Sequence, residues 1–146
     1  MGLQKNVEYR FELARGFLNE AELDYSLKRW RSCVAGSIMV VEHTGLAVLM
    51  LFGVSSFTHK PGMHLSQLIS EGTVSEEIAV LVQELLPELE QYDSYEKMLA
   101  KYGDESAYKL PWDIFKEQEG LMAIESARKC IRVSSEIATL VSNVLS

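Results

Sequence analysis

Apolar residues recur along this chain at steps of three and four, and nowhere does a two-residue alternation persist long enough to suggest a strand. Val7, Phe11, Ala14, Leu18, Ala21 and Tyr25 share one face, while Glu8, Glu12, Arg15, Asn19 and Glu22 fall on the other. That spacing predicts a first amphipathic helix of about six turns. A second pattern begins near Lys28 and Trp30 and continues through Val34, Ile38, Val41, Gly45, Val48 and Phe52, with apolar residues on almost every side. A helix coated all round has to be enclosed, by its neighbours or by a second copy of the chain. Ala35, Gly36, Ser37 and Gly45 are small enough to let another backbone come close.

Pro61 and Gly62 interrupt this run and predict a turn. Thr73 and Glu76 then have the spacing of a capping box for a third helix striped by Val74, Ile78, Leu81 and Leu85. Pro87 predicts a kink or restart, followed by a short helix carrying Leu89, Tyr92 and Leu99 that stops at Gly103. GDESAYKLPW, residues 103–112, reads as loop. The last helix starts after Pro111 or Asp113 and passes through Leu121, Ile124, Ala127, Ile131, Ser134, Ala138, Val141 and Leu145. The expected architecture is all-α: one domain over residues 1–146, an up-and-down bundle of four long helices plus a short fifth, joined by short loops.

At 146 residues the chain is long enough to bury a core without disulfides or a structural metal. Its net charge of −7 repels free nucleic acid at long range, so free DNA is not an expected partner and any nucleotide must meet a local basic patch. Cys33 and Cys130 lie in apolar helical patterns and are expected as free thiols. The opening MGLQKNVEYRFE has no apolar core behind its charges and is not a signal peptide. CVAGSIMVVEHTGLAVLMLFGV, residues 33–54, has the length of a membrane span, but Glu42 and His43 stand at its midpoint. It reads as the buried central helix of a cytoplasmic protein, with no membrane partner.

Few residues offer chemistry. His59 and His64 flank the Lys-Pro-Gly turn, but the proline and glycine work against a helical metal pair and no third ligand has a recognisable spacing, so no metal is expected. His43 on the apolar helix reads as a hydrogen-bonded core histidine. Glu42 beside it has to face a groove, pair with a cation such as Arg15 or Arg128, or take a raised pKa. Lys28, Arg29 and Arg31 are the densest basic cluster; they either complement the end of the first helix or hold an anion at the start of the second. Tyr92, Tyr95, Tyr102 and Tyr108 are interleaved with Lys97, Lys101 and Lys109, a mixture that can stack a base and hold its phosphate or simply rim the core. No nucleophile elbow, zinc-protease, phosphate-loop or dinucleotide motif occurs, and no cofactor is expected.

The order of five segments resembles the HEPN superfamily, small all-α proteins named for a higher-eukaryote and prokaryote nucleotide-binding domain. These are EAELDYSL at 20–27, VVEH at 40–43, GMHLSQL at 62–68, the stretch from Asp93-Ser94-Tyr95 to Lys101-Tyr102-Gly103, and AIESAR at 123–128. The resemblance covers most of the chain. It places His64 where the family commonly has a histidine after the second helix, and Lys101-Tyr102-Gly103 where the family often has Arg-Tyr-Pro. Lysine there keeps the charge and loses the bidentate fork. The arginine-to-histidine spacing of the family's ribonucleases is missing after Arg10, Arg15, Arg29, Arg31, Arg128 and Arg132. The resemblance therefore implies the non-nuclease branch: a non-catalytic nucleotide-binding or partner-binding module. It would be a homodimer, and a companion of a minimal nucleotidyltransferase in a toxin–antitoxin-like pair. The ligand positions this implies are His64, Lys101, Tyr102, Tyr95, Asp93, Glu42, Arg29 and Arg31. The alternative is a divergent metal-independent ribonuclease using His64 with Lys60 or with an arginine brought close by folding or by the second subunit.

Overall fold

A computed structural model describes residues 2–54, 58, 60–92 and 94–145. Within them the chain forms α1 (Gly2–Ser26), α2 (Trp30–Leu51), α3 (Pro61–Ser70), α4 (Glu76–Gln91), α5 (Ser94–Tyr102), α6 (Pro111–Ile114) and α7 (Glu117–Leu145). The all-α architecture is as the periodicity predicts; no β-strand occurs among the described residues, only an isolated bridge between Asp104 and Lys109 in the loop after α5.

α2 is the axis. Every residue from Val40 to Leu49 is buried, because α1 and α7 pack along it and α3, α4 and α5 close the remaining sides. By length and composition α2 is apolar enough to cross a membrane; in this fold its apolar surface is taken up by the other helices. The main core joins Ile38, Val41 and Leu49 of α2 to Val82 and Leu85 of α4 and Val133 and Ile137 of α7. Smaller clusters place Phe11 and Ala14 of α1 against Ala47 and Val40.

Small residues set the closest approaches. A methyl group on Gly45 would lie 2.7 Å from Pro61 Cγ and 2.8 Å from Leu89 Cδ2, so α3 and α4 can cross α2 there only because the side chain is missing. Gly103 ends α5 at φ +70°, in the left-handed region glycine enters without steric penalty, and a Cβ there would strike the Lys109 carbonyl.

Three local expectations are corrected. Pro61 and Gly62 do not merely turn the chain: Pro61 is the first residue of α3, where its missing N–H is no loss and its fixed φ suits the helix. α4 is capped by Ser75, whose hydroxyl accepts from the Ile78 N–H at 3.4 Å, and not by Thr73. Both residues satisfy the same local rule, and the chain's exit from α3 selects between them. Pro87 neither breaks nor restarts α4, which continues to Gln91. Pro87 and Gln83 are both exposed, so the carbonyl left without its usual partner faces water. The outcome is α1, α2, α4 and α7 as the longer helices, joined by three short ones instead of a single fifth.

Candidate functional site

The expected ligand residues that fall on α2 and its approach divide into separate places. At the lower end of α2, Lys28 sits in the left-handed turn after α1 with φ 62°, and Arg29 is the residue before α2, exposed and 3.7 Å from Asp24. Arg31 points the other way. Its Nη1 donates to the Ala100 carbonyl at 3.1 Å, its Nη2 donates to Ser32 Oγ at 3.0 Å, and its guanidinium lies 5.9 Å from the centre of the Trp112 ring. A cation from α2 is thereby fixed at the last turn of α5, beside Lys101 and Tyr102, where positive charge also complements the helix's carbonyl end. Arg31 Nε is buried and makes no hydrogen bond.

The surface around this point is apolar and open. Tyr102 is 64% exposed and Trp112 61%, and Met98, Tyr108 and Leu110 are exposed as well. Met98, Leu99, Tyr102, Gly103, Asp104 and Glu105 line a shallow groove of about 380 Å³. Two of its lining residues, Asp104 and Glu105, are acidic; Asp104 accepts from Ser106 Oγ and the Ala107 N–H, and these bonds hold its carboxyl below the usual range. The groove itself offers the Tyr102 ring and the carboxylates of Asp104 and Glu105, while Arg31, held at the Ala100 carbonyl, and Lys101 belong to the same end of α5.

Glu42 belongs to a different cluster. Its carboxylate accepts from Lys97 Nζ of α5 at 2.5 Å, and the glutamate is 8% exposed. Neither cation named for it from the sequence is its partner here. Arg128 makes a two-pronged pair with Glu22, at 2.6 and 2.7 Å, that holds the Glu22 carboxyl below its ordinary value, and Arg15 lies over the Phe11 ring at 5.6 Å. His43, one residue on and a third of a turn round, faces α1. Its Nδ1 lies 3.1 Å from Arg10 Nη1 and its ring stacks on Phe17 at 5.7 Å and 7°. Since a guanidinium only donates, His43 Nδ1 is the acceptor and the ring is neutral. Burial first, and the Arg10 charge second, push its pKa below the usual value. The sequence reading of His43 as a hydrogen-bonded core histidine holds.

His64 is exposed on the first turn of α3, one turn after the likewise exposed Lys60, and does not line the groove beside Tyr102. α3 rests on α2 and α4, whereas α5 rests on α2 and α6. His64 and Tyr102 are therefore not brought into one site. Asp93 and His59 lie outside the described residues, as does the side chain of Tyr95, whose backbone is in α5. No group of three His, Cys, Asp or Glu side chains able to hold a metal occurs among the described residues. Both thiols are free and buried; burial raises Cys33 to about 11 and Cys130 to about 12, so neither is a nucleophile near neutral pH.

Trp112 and Lys97 are the site residues that sequence reasoning missed. The only local hint for Trp112 was its place after Pro111 in a loop, and a tryptophan reads equally as core. Lys97 was noted among the tyrosines but not as the counterion of Glu42, because 55 residues separate them.

No protein-family model matches the chain, and no curated protein matches it. Among solved structures it is similar to the protein TT1696 from Thermus thermophilus, at 17% identity and a TM-score of 0.67, over 90% of this chain and 97% of that one. At that identity the similarity establishes the all-α bundle and nothing finer.

Proposed function

We infer that this chain is a non-catalytic binding module whose ligand is a nucleotide, held at the end of α5 by Arg31, Lys101, Tyr102 and Trp112. The observation that carries the reading is the placement of Arg31: a cation from the start of α2 is held by a carbonyl of α5 against an indole, beside a lysine and an exposed tyrosine. A base stacks on Tyr102 while its phosphate meets Arg31 and Lys101, a division of labour that aromatic and cationic groups provide in many single-strand sites. The acidic lining at Asp104 and Glu105 favours a base that presents amino hydrogens, such as adenine. Glu42, Arg29 and His64, also named from the sequence, take no part in this version of the site. The HEPN resemblance adds a small nucleotidyltransferase as the protein partner and a cytoplasmic location, in keeping with two unpaired thiols.

The test is a thermal-shift and equilibrium-binding screen against ATP, GTP and their monophosphates. ATP at about a hundred times its dissociation constant stabilises the fold by about 2.7 kcal/mol. Tyr102→Ala and Arg31→Gln each abolish the shift. No stabilisation by any nucleotide, or a shift that survives both substitutions, rejects the reading. The alternative of RNA cleavage has Lys60 and His64 one turn apart at the start of α3 in its favour; metal-free cleavage lost in His64→Ala would establish it instead.

A further inference from the structure

A hollow of about 590 Å³ opens between the start of α4 and the last turns of α7. The two helices run antiparallel: Glu88, near the end of α4, meets Ser126 and Lys129 of α7, while Glu77, Val80 and Leu81 border the hollow together with Glu136, Thr139 and Leu140. α4 packs inward through Ile78, Val82, Leu85 and Leu89, which are buried. Val80 stands off that stripe and is 54% exposed, a β-branched side chain on a solvent face where helix propensity gives it no advantage. With Leu81 and Leu140 it makes an apolar floor that no part of the described chain covers.

The rim of this groove has one sign. Residues 61–96 contain neither lysine nor arginine and hold eight of the chain's 21 acidic residues, so this quarter of the sequence carries −8 while the remainder nets +1. On α4, Glu76 and Glu84 lie one turn before and one turn after Val80, and both are exposed, as are Glu77 and Glu136. Among the described residues no lysine or arginine comes within ion-pair distance of Glu76, Glu77 or Glu84. Glu136 has Arg132 of its own helix at 3.9 Å.

We propose that this groove docks a helical segment of a partner protein whose apolar stripe is flanked by lysine or arginine. The floor asks for apolar side chains at helical spacing, the way an amphipathic helix enters a groove between two others. The rim fixes the sign of the guest. Nucleic acid and anionic membrane carry the charge that these four glutamates repel, and a second copy of this chain brings a net charge of −7 with it. Cations on one edge of the guest meet Glu77 and Glu84, which are two turns or about 10 Å apart along α4, and those on its other edge meet Glu136.

The probe is a peptide of about 18 residues made of leucine and lysine, with leucines at i, i+3, i+4 and i+7, titrated calorimetrically into the full chain. Saturable one-to-one binding is expected, with a scrambled peptide of the same composition at least about tenfold weaker and a leucine–glutamate version silent. Val80→Glu weakens the complex about tenfold or more although it makes the protein more acidic. Glu77→Gln with Glu84→Gln also weakens it, whereas Glu12→Gln with Glu20→Gln, on α1, removes the same charge without effect. All five positions are exposed, and unchanged helical circular dichroism verifies that each variant is folded. Absence of saturable binding overturns the proposal, as does a scrambled or leucine–glutamate peptide that binds as tightly as the probe. So does a Val80→Glu protein that binds like the wild type, or equal losses in the α1 and α4 pairs, since bare charge attraction would then account for the result. The groove belongs to α4 and α7 and the nucleotide site to the end of α5, so either reading can fail without the other.

Discussion

The Glu42 carboxylate has almost no access to water and is offset by Lys97, which reaches across from another helix. Removing one member of such a pair leaves the other less fully compensated, whereas replacing both with apolar groups often does little harm. Lys97→Met is therefore expected to lower unfolding free energy by about 3 kcal/mol, and Lys97→Met with Glu42→Leu to recover most of it. Urea denaturation of the three proteins checks this, and equal losses in the single and double variants would show that the pair is not coupled. His43 gives a pH dependence whose sign follows from its depressed pKa. The unfolded chain binds this proton more readily than the folded one, so the stabilisation is complete above the unfolded value of about 6.5 and shrinks as pH falls toward the folded value. Unfolding free energy measured at pH 7.5 and 5.5 is expected to drop for the wild type, and His43→Gln to lessen that drop. Glu22, held low by Arg128, acts in a separate and more acidic window: its stabilisation is complete above the ordinary carboxylate value of 4.5 and is lost as pH falls from there toward the lower folded value.

Among the elements, α2 is defined by what it lacks as much as by what it buries. α3 and α4 reach it through the space left by Gly45, and the side chains that would collide with a methyl group are the Pro61 ring and the Leu89 tip. Gly45→Ala is expected to destabilise the protein by about 1–3 kcal/mol despite improving helix propensity. Gly16→Ala on α1, with nothing to strike, is expected to stabilise the protein by up to about 1 kcal/mol. The two substitutions are chemically identical and opposite in sign, so one pair of denaturation curves tests the packing assignment directly. α4 and α7 are joined by polar contacts, with Lys129 donating to Glu88 at 3.0 Å and Ser126 donating to the same carboxylate at 3.0 Å. Tyr92, at the end of α4, shares in this network and its hydroxyl is pushed up by burial.

For the whole molecule, the enclosure of α2 by the other helices makes independent unfolding of any long helix unfavourable, since each would expose part of the same apolar rod. A single cooperative transition is expected. Trp30 and Trp112 both report from the end of the bundle near the start of α2: Trp30 packs on Tyr25 and over Gly120, and Trp112 under the Arg31 guanidinium. Tryptophan fluorescence and far-ultraviolet circular dichroism should therefore give coincident thermal transitions; an earlier fluorescence midpoint would mean that this end loosens first.

What the sequence alone determined was helical: the class, the paths of α1, α2 and α7, the enclosure of an apolar helix with an acid at its midpoint, and the stop at Gly103. Each follows from period, propensity or a local steric rule acting within one or two turns. α3, the cap at Ser75 and the continuity of α4 through Pro87 were not legible, because proline and hydroxyl residues suit both start and stop signals and only the surrounding packing chooses. The pairing of Glu42 with Lys97 and the meeting of Arg31 with Ala100 and Trp112 were likewise decided by tertiary structure. The groups involved lie 55 to 81 residues apart, and the tyrosine–lysine segment reads the same with or without a cation from α2 beside it. Periodicity reveals which face of a helix is buried; it carries no record of which distant charge will arrive there, since that depends on how the helices cross.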